Sequence, residues 1–126
     1  MKLTGDVTTG LGKGAYFLSQ DFYKNALNEK CGFIPFPGTL NIIVPKNNLN
    51  EINTIKENCK NMIKPEGKFG AVKYIKATLN EKVKGAILFP AKTTHEENYL
   101  EFIAPLNLRK ELNLKDGDEV TLEIYV

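Results

Sequence analysis

The chain has 126 residues, 25% of them charged and 42% hydrophobic, with a formal net charge of +2. That is chain enough for one domain and one core, which excludes a two-half dinucleotide fold beside a separate substrate domain. The near-balanced charge argues against a general nucleic-acid binder, and the composition is globular rather than disordered, fibrous or disulfide-stapled.

In chain order, residues 3–9 are rich in Thr and Val, stop at Gly10 and read as a strand. Ser19 as N-cap, Asp21 in the first turn and Gly32 past the end bracket Phe22, Tyr23, Ala26 and Leu27 at helical spacing, which predicts a helix over 20–31. After Pro37-Gly38, the run Leu40-Asn41-Ile42-Ile43-Val44 is a strand closed by Pro45. Residues 46–68 are rich in Lys and Asn and read as an exposed excursion, within which Leu49, Ile52 and Ile55 define a short helical face. Residues 69–79 and 83–89 are expected as strands around a tight turn at Asn80-Glu81. Residues 99–104 form another, stopped by Pro105. Leu108 and Leu112 lie four apart on a short helix ending near Asn113, and Asp116-Gly117-Asp118 is a turn. Beyond it Val120, Leu122, Ile124 and Val126 alternate with Glu119, Thr121, Glu123 and Tyr125, the period-two signal of a half-buried strand. About six strands and two or three short helices, with no βα alternation, disfavour a doubly wound sheet. A small closed β-barrel over the single domain 1–126 fits better, because closure protects strand edges.

Side chains that usually carry chemistry are scarce: one His, His95, one Arg, Arg109, and two Cys, Cys31 and Cys59, which form no CxxC. A Cys/His zinc site is not expected, and the two thiols read as reduced. No signal peptide or membrane-spanning run is evident, so the expectation is a soluble cytoplasmic protein.

Four segments carry candidate chemistry. Gly10-Leu11-Gly12-Lys13-Gly14 follows the first strand, and its glycines either allow backbone N–H groups to turn toward a phosphate or simply make a flexible strand-to-helix turn. It lacks the spacing of a Walker A loop. In Gly38-Thr39-Leu40-Asn41, a strand starting at Thr39 would put Thr39 and Asn41 on one face, a hydroxyl and an amide oxygen suited to Mg²⁺ that takes its other ligands from phosphate and water. The alternative is polar decoration of a solvent-facing strand. Thr93, His95 and Glu101 surround a polar loop, with Glu101 between Leu100 and Phe102 as a carboxylate able to accept a proton or orient a hydroxyl; an exposed Glu opposite a Lys is the alternative. Pro105-Leu106-Asn107-Leu108-Arg109 opens a short helix whose N–H groups and guanidinium suit an anion, or is simply a capped helix with a solvated Arg.

Taken in order, 10–19, 37–41, Gly85-Ala86-Ile87 with Pro90, Lys92-Thr93-Thr94-His95, Ile103-Ala104-Pro105 with Leu108-Arg109, and Leu114-Lys115-Asp116-Gly117-Asp118 resemble the archaeal CTP-dependent riboflavin kinases over essentially the whole chain. The resemblance implies a six-stranded cradle-loop, RIFT-related barrel that transfers the γ-phosphoryl of CTP to the ribityl 5′-hydroxyl of riboflavin, giving FMN and CDP. It implies nucleotide contacts at Gly10, Leu11, Gly12, Lys13, Gly14 and Ala15 and at Leu106, Asn107, Leu108 and Arg109. It implies Mg²⁺ on Thr39 and Asn41, and flavin contacts at Thr93 and Glu101. Glu101 is the candidate base or orienting group.

The loop departs from the family pattern at Lys13, where an acidic residue is common, and at Ala15, where a basic one is common. Some members carry an N-terminal winged-helix domain; this chain starts at the barrel, so DNA-linked regulation is not implied. A monomer without nucleic-acid or membrane partners is expected. The competing readings are an FMN carrier without turnover and a swapped-hairpin-like DNA-binding barrel built on residues 114–126.

Overall fold

The structure, a computed structural model, describes residues 1–10, 18–90 and 98–125. Seven strands fall within them: β1 (Lys2–Thr8), β2 (Leu40–Ile43), β3 (Met62–Ile63), β4 (Val72–Leu79), β5 (Val83–Pro90), β6 (Tyr99–Ile103) and β7 (Glu119–Ile124). The described helices are α1 (Asp21–Cys31), α2 (Leu49–Asn58), which a short 3-10 turn at Lys46–Asn48 precedes, and α3 (Leu108–Glu111).

Six strands pair in the order β4-β5-β6-β2-β1-β7, and β7 returns to β4, so the sheet closes on itself as a six-stranded antiparallel barrel. The expected closed barrel is therefore what forms, and β3 is a short addition outside β4. β1 is the strand that makes closure possible. Its first half, Lys2 to Asp6, pairs with β7, and its end, Asp6 to Thr8, pairs with β2.

The period-two pattern decides what lies inside. Leu3, Val7, Leu40, Ile42, Ile75, Ala77, Leu79, Ile87, Leu100, Phe102, Val120, Leu122 and Ile124 turn inward and form one buried cluster. Gly85 faces this interior where the wall is thin: a Cβ there would run into the Ile103 carbonyl oxygen and lie 2.6 Å from the Phe102 ring. Only glycine lets β5 approach β6 this closely.

The opposite face of β4, β5 and β6 is covered by α1. Tyr23 and Leu27 bury against Tyr74, Ala86, Leu88 and Ile103, with Leu18 and Ile63 beside them. Leu27 is wholly buried, and such a side chain contributes about 2 kcal/mol. Phe22 stacks on Phe69 with ring centroids 4.6 Å apart, and the Tyr23 hydroxyl donates to the Gly70 carbonyl at 3.0 Å. Gly32 ends the helix with φ 83°, in the left-handed region expected of it.

Three local expectations need correction. Ser19 is not the cap of α1: Leu18 and Ser19 have helical backbone themselves, and the extended cap residue is Gln20. Residues 46–68 are more than an exposed excursion, because α2 sends Ile52 and Ile55 into the barrel core and Ile63 is buried on β3. The strand expected from Phe69 starts at Val72, since Phe69 closes a bridge to Glu66 and packs on α1.

Candidate active site

One row of residues runs across the outer face of the barrel in register: Tyr74 on β4, Leu88 on β5, Glu101 on β6, Asn41 on β2 and Thr8 on β1. Neighbouring strands are about 5 Å apart, so Thr8, Asn41 and Glu101 span roughly 10 Å. The row changes character along its length. Tyr74 and Leu88 are buried beneath α1, whereas Glu101, Asn41 and Thr8 are half-buried. The polar residues begin at the margin of the helix's cover.

Strand alternation explains why these side chains share a surface. Leu100 and Phe102 enter the core, so Glu101 between them faces outward. Leu40 and Ile42 do the same on β2, so Asn41 faces outward too. Thr39 precedes β2 rather than opening it, and the Asn41 amide nitrogen donates to its carbonyl oxygen at 3.4 Å. That bond turns the amide nitrogen toward Thr39. Gly10 lies directly over the same amide.

Arg109 reaches this face from α3. Its Nη2 donates to the Thr8 carbonyl at 2.9 Å and to Asp116 Oδ1 at 2.6 Å. The other Asp116 oxygen accepts from the Thr9 hydroxyl at 2.6 Å. The Thr9 hydroxyl first, then the Arg109 guanidinium, hold the Asp116 carboxyl below its ordinary range. It is therefore charged at neutral pH.

The other candidate positions divide as follows. Leu106 is half-buried against the core and Leu108 is buried in it, so what Leu108 can offer a ligand is main chain. The Asn107 side chain accepts from the Lys110 N–H at 3.3 Å and caps α3. Leu11, Gly12, Lys13, Gly14, Ala15 and Thr93 lie outside the described residues, as does His95. The structure thus brings together Gly10, Asn41 and Glu101 on one face, with Arg109 beside the end of β1. Sequence reasoning missed Thr9 and Asp116 as parts of this face. They are 107 residues apart, and neither has a local signal beyond a strand end and a turn.

Among the described residues no three His, Cys, Asp or Glu side chains converge into a metal cluster. The donors present are amide and carboxylate oxygens, a set compatible with a hard cation that draws most of its ligands from phosphate and water. Cys31 and Cys59 are free thiols, as expected. No helix among the described residues is long and apolar enough to cross a membrane.

Such a face can neutralise charge and position reactants, which is the work of phosphoryl-transfer enzymes. A family model for the CTP-dependent riboflavin kinase domain, described as domain of unknown function DUF120, matches residues 7–124. A riboflavin kinase of Methanobrevibacter smithii is 68% identical over 98% of this chain and 99% of its own. One from Methanothermobacter thermautotrophicus is 51% identical over 92% of this chain and 93% of its own. A third, from Saccharolobus solfataricus, is 41% identical over 100% of this chain and 75% of its own. The chain belongs to the CTP-dependent riboflavin kinase family.

Proposed function

We propose that this riboflavin kinase assembles its reacting groups on the Thr8–Asn41–Glu101 row, with CTP entering along the glycine segment after β1 and the ribityl chain of riboflavin lying toward β6. The observation that carries the reading is the register itself. It sets a carboxylate, a directed amide oxygen and the origin of the glycine segment side by side, at the edge of an apolar patch roofed by α1.

In this arrangement the ribityl 5′-oxygen attacks the γ-phosphorus in line. The new O–P bond forms as the bond from the γ-phosphorus to the β-bridging oxygen breaks, and CDP leaves. The hydroxyl proton passes to the Glu101 carboxylate, which also orients the nucleophile. Backbone N–H groups from Gly10 to Ala15 hold the triphosphate, and the Arg109 guanidinium with the 106–109 main chain contacts the nucleotide on the other side. Asn41 and Thr39 would hold Mg²⁺, which would supply charge neutralisation for the phosphoryl group in transfer. Thr93 contacts the flavin. The protein works as a monomer, because one barrel carries every group the reaction needs.

The test is to mix the protein with riboflavin, Mg²⁺ and each of the four nucleoside triphosphates and to follow FMN. FMN with equimolar CDP from CTP supports the reading. Binding of FMN without turnover of any triphosphate replaces it with a flavin carrier. Strongly salt-dependent DNA binding with no FMN formed favours the swapped-hairpin alternative.

A further inference from the structure

Arg109 is held by two partners. Two donor contacts leave its Nη2, one to the last carbonyl of β1 and one to Asp116, and Asp116 in turn grips Thr9. Three parts of the chain therefore meet at one carboxylate: the end of β1 where the glycine segment begins, the short helix α3, and the turn before β7. A guanidinium carries five N–H donors, so the Nε and Nη1 protons are those available to an anion.

The carboxylate has little to do for the fold. The turn is already bound to β1 by two main-chain bonds of 2.8 Å, from Val7 N to the Asp118 oxygen and from Gly117 N to the Val7 oxygen. The turn is also closed locally by the Lys115 N–H donating to Asp118 at 2.8 Å. The ion pair itself is open to solvent, with side-chain exposures of 39% for Arg109 and 55% for Asp116, and pairs of this kind add little to stability. A negative charge next to an anion-binding guanidinium also weakens its pull on a nucleotide. An acid placed here makes sense for orientation rather than for attraction.

We propose that Asp116 is a positioning residue for the nucleotide: it fixes the Arg109 guanidinium and, through Thr9, the end of β1 at Gly10 in a single geometry. The proposal rests on the reading that Arg109 and the segment from Gly10 hold CTP. The orienting function belongs to the two oxygens of Asp116 as acceptors. Its charge is a secondary matter, since the amide oxygen of an Asn can still accept from one partner.

The variants Asp116→Ala, Asp116→Asn and Arg109→Ala, in the full chain, test this by steady-state kinetics for both substrates and by thermal melting. Asp116→Ala is expected to raise the KM for CTP about tenfold, with the KM for riboflavin and the melting temperature nearly unchanged. Asp116→Asn is expected to recover most of that loss. A KM for CTP that is unchanged or lower in Asp116→Ala overturns the proposal, the lower value meaning that the acid acts only as an electrostatic brake. A parallel loss in both KM values together with a lowered melting temperature also overturns it, in favour of a structural role. Arg109→Ala separates the two levels of argument. A raised KM for CTP there with no effect at Asp116 refutes the positioning role alone, whereas no effect at Arg109 refutes the nucleotide site and the positioning role with it.

Discussion

Gly10 sits against the side chain of Asn41: a Cβ added at Gly10 would stand 2.7 Å from the amide carbon and 2.9 Å from the amide oxygen, and closer still to the nitrogen. Ordinary contact between such atoms begins well beyond these distances. An alanine at position 10 therefore has to push the amide aside or lift the chain away from β2. Either movement disturbs Asn41, the residue assigned to the cation, and the first residue of the glycine segment. Gly10→Ala is expected to lower kcat about ten- to a hundredfold, because misplacement of this order costs that much in positioned catalysis. Asn41 is only half-buried, so the change in melting temperature should be small. Thermal melting and FMN formation on the same preparation provide the check, and an unaltered kcat would detach Gly10 from the site.

The cation assignment is tested more directly at Asn41. Its amide is directed by the bond to the Thr39 carbonyl, so removal of the side chain takes away the oxygen and leaves the strand pairing intact. Asn41→Ala is expected to shift the Mg²⁺ dependence of turnover upward by about ten- to a hundredfold and to reduce the saturated rate. Titration of Mg²⁺ at fixed CTP and riboflavin measures this. A titration superimposable on that of the parent protein removes Asn41 from the metal site.

How much of this could be read in the amino-acid sequence depends on the range of the interaction that matters. The alternation of Val120, Leu122 and Ile124 specifies β7 because burial on one face acts locally, at every second residue. Helix α1 is legible for the same reason, down to Gly32. Strand β3 is not, because two residues cannot display a period and their pairing with Lys73 and Val72 depends on chain returning from α2. The polar row is legible only in part. Asn41 and Glu101 are polar residues on strands of apolar ones, but that they are direct neighbours is a matter of strand order, which no local pattern encodes. Thr9 and Asp116 lie further still from any local signal, since their bond exists only because the turn after α3 docks on β1.

Cys31 offers a pH-dependent check on how α1 is seated. Burial pushes its thiol above the ordinary value of 9.0, and the nearby Lys76 ammonium offsets this only in part. A raised value means that the neutral thiol persists at neutral pH, with the reactive thiolate gained only as pH climbs past the ordinary range. Alkylation of Cys31 by iodoacetamide, followed on its peptide by mass spectrometry, should be slow at pH 7.5 and still accelerating between pH 9 and 10. A rate that levels off below pH 9 would mean that the last turn of α1 does not pack Cys31 against the cluster beneath the helix.

Glu101 carries the heaviest chemical assignment. Its neighbours in register are Leu88 on one side and Asn41 on the other, so it stands at the boundary between the apolar patch under α1 and the polar end of the row. A substrate with an apolar ring system and a hydroxylated tail matches that boundary, with the ring toward the covered patch and the terminal hydroxyl toward Asn41. Glu101→Gln preserves size and hydrogen bonding but cannot take the proton from that hydroxyl. If the carboxylate is the base, kcat should fall about a hundredfold or more, while the KM for CTP, whose proposed contacts are at Gly10 and Arg109, stays within about twofold. If it only orients the hydroxyl, the amide replaces it and kcat falls by less than about tenfold. An unchanged kcat would take Glu101 out of the chemistry and leave residues 91–97 to supply a base, since Asn41, the other polar side chain of the row within reach, cannot accept a proton.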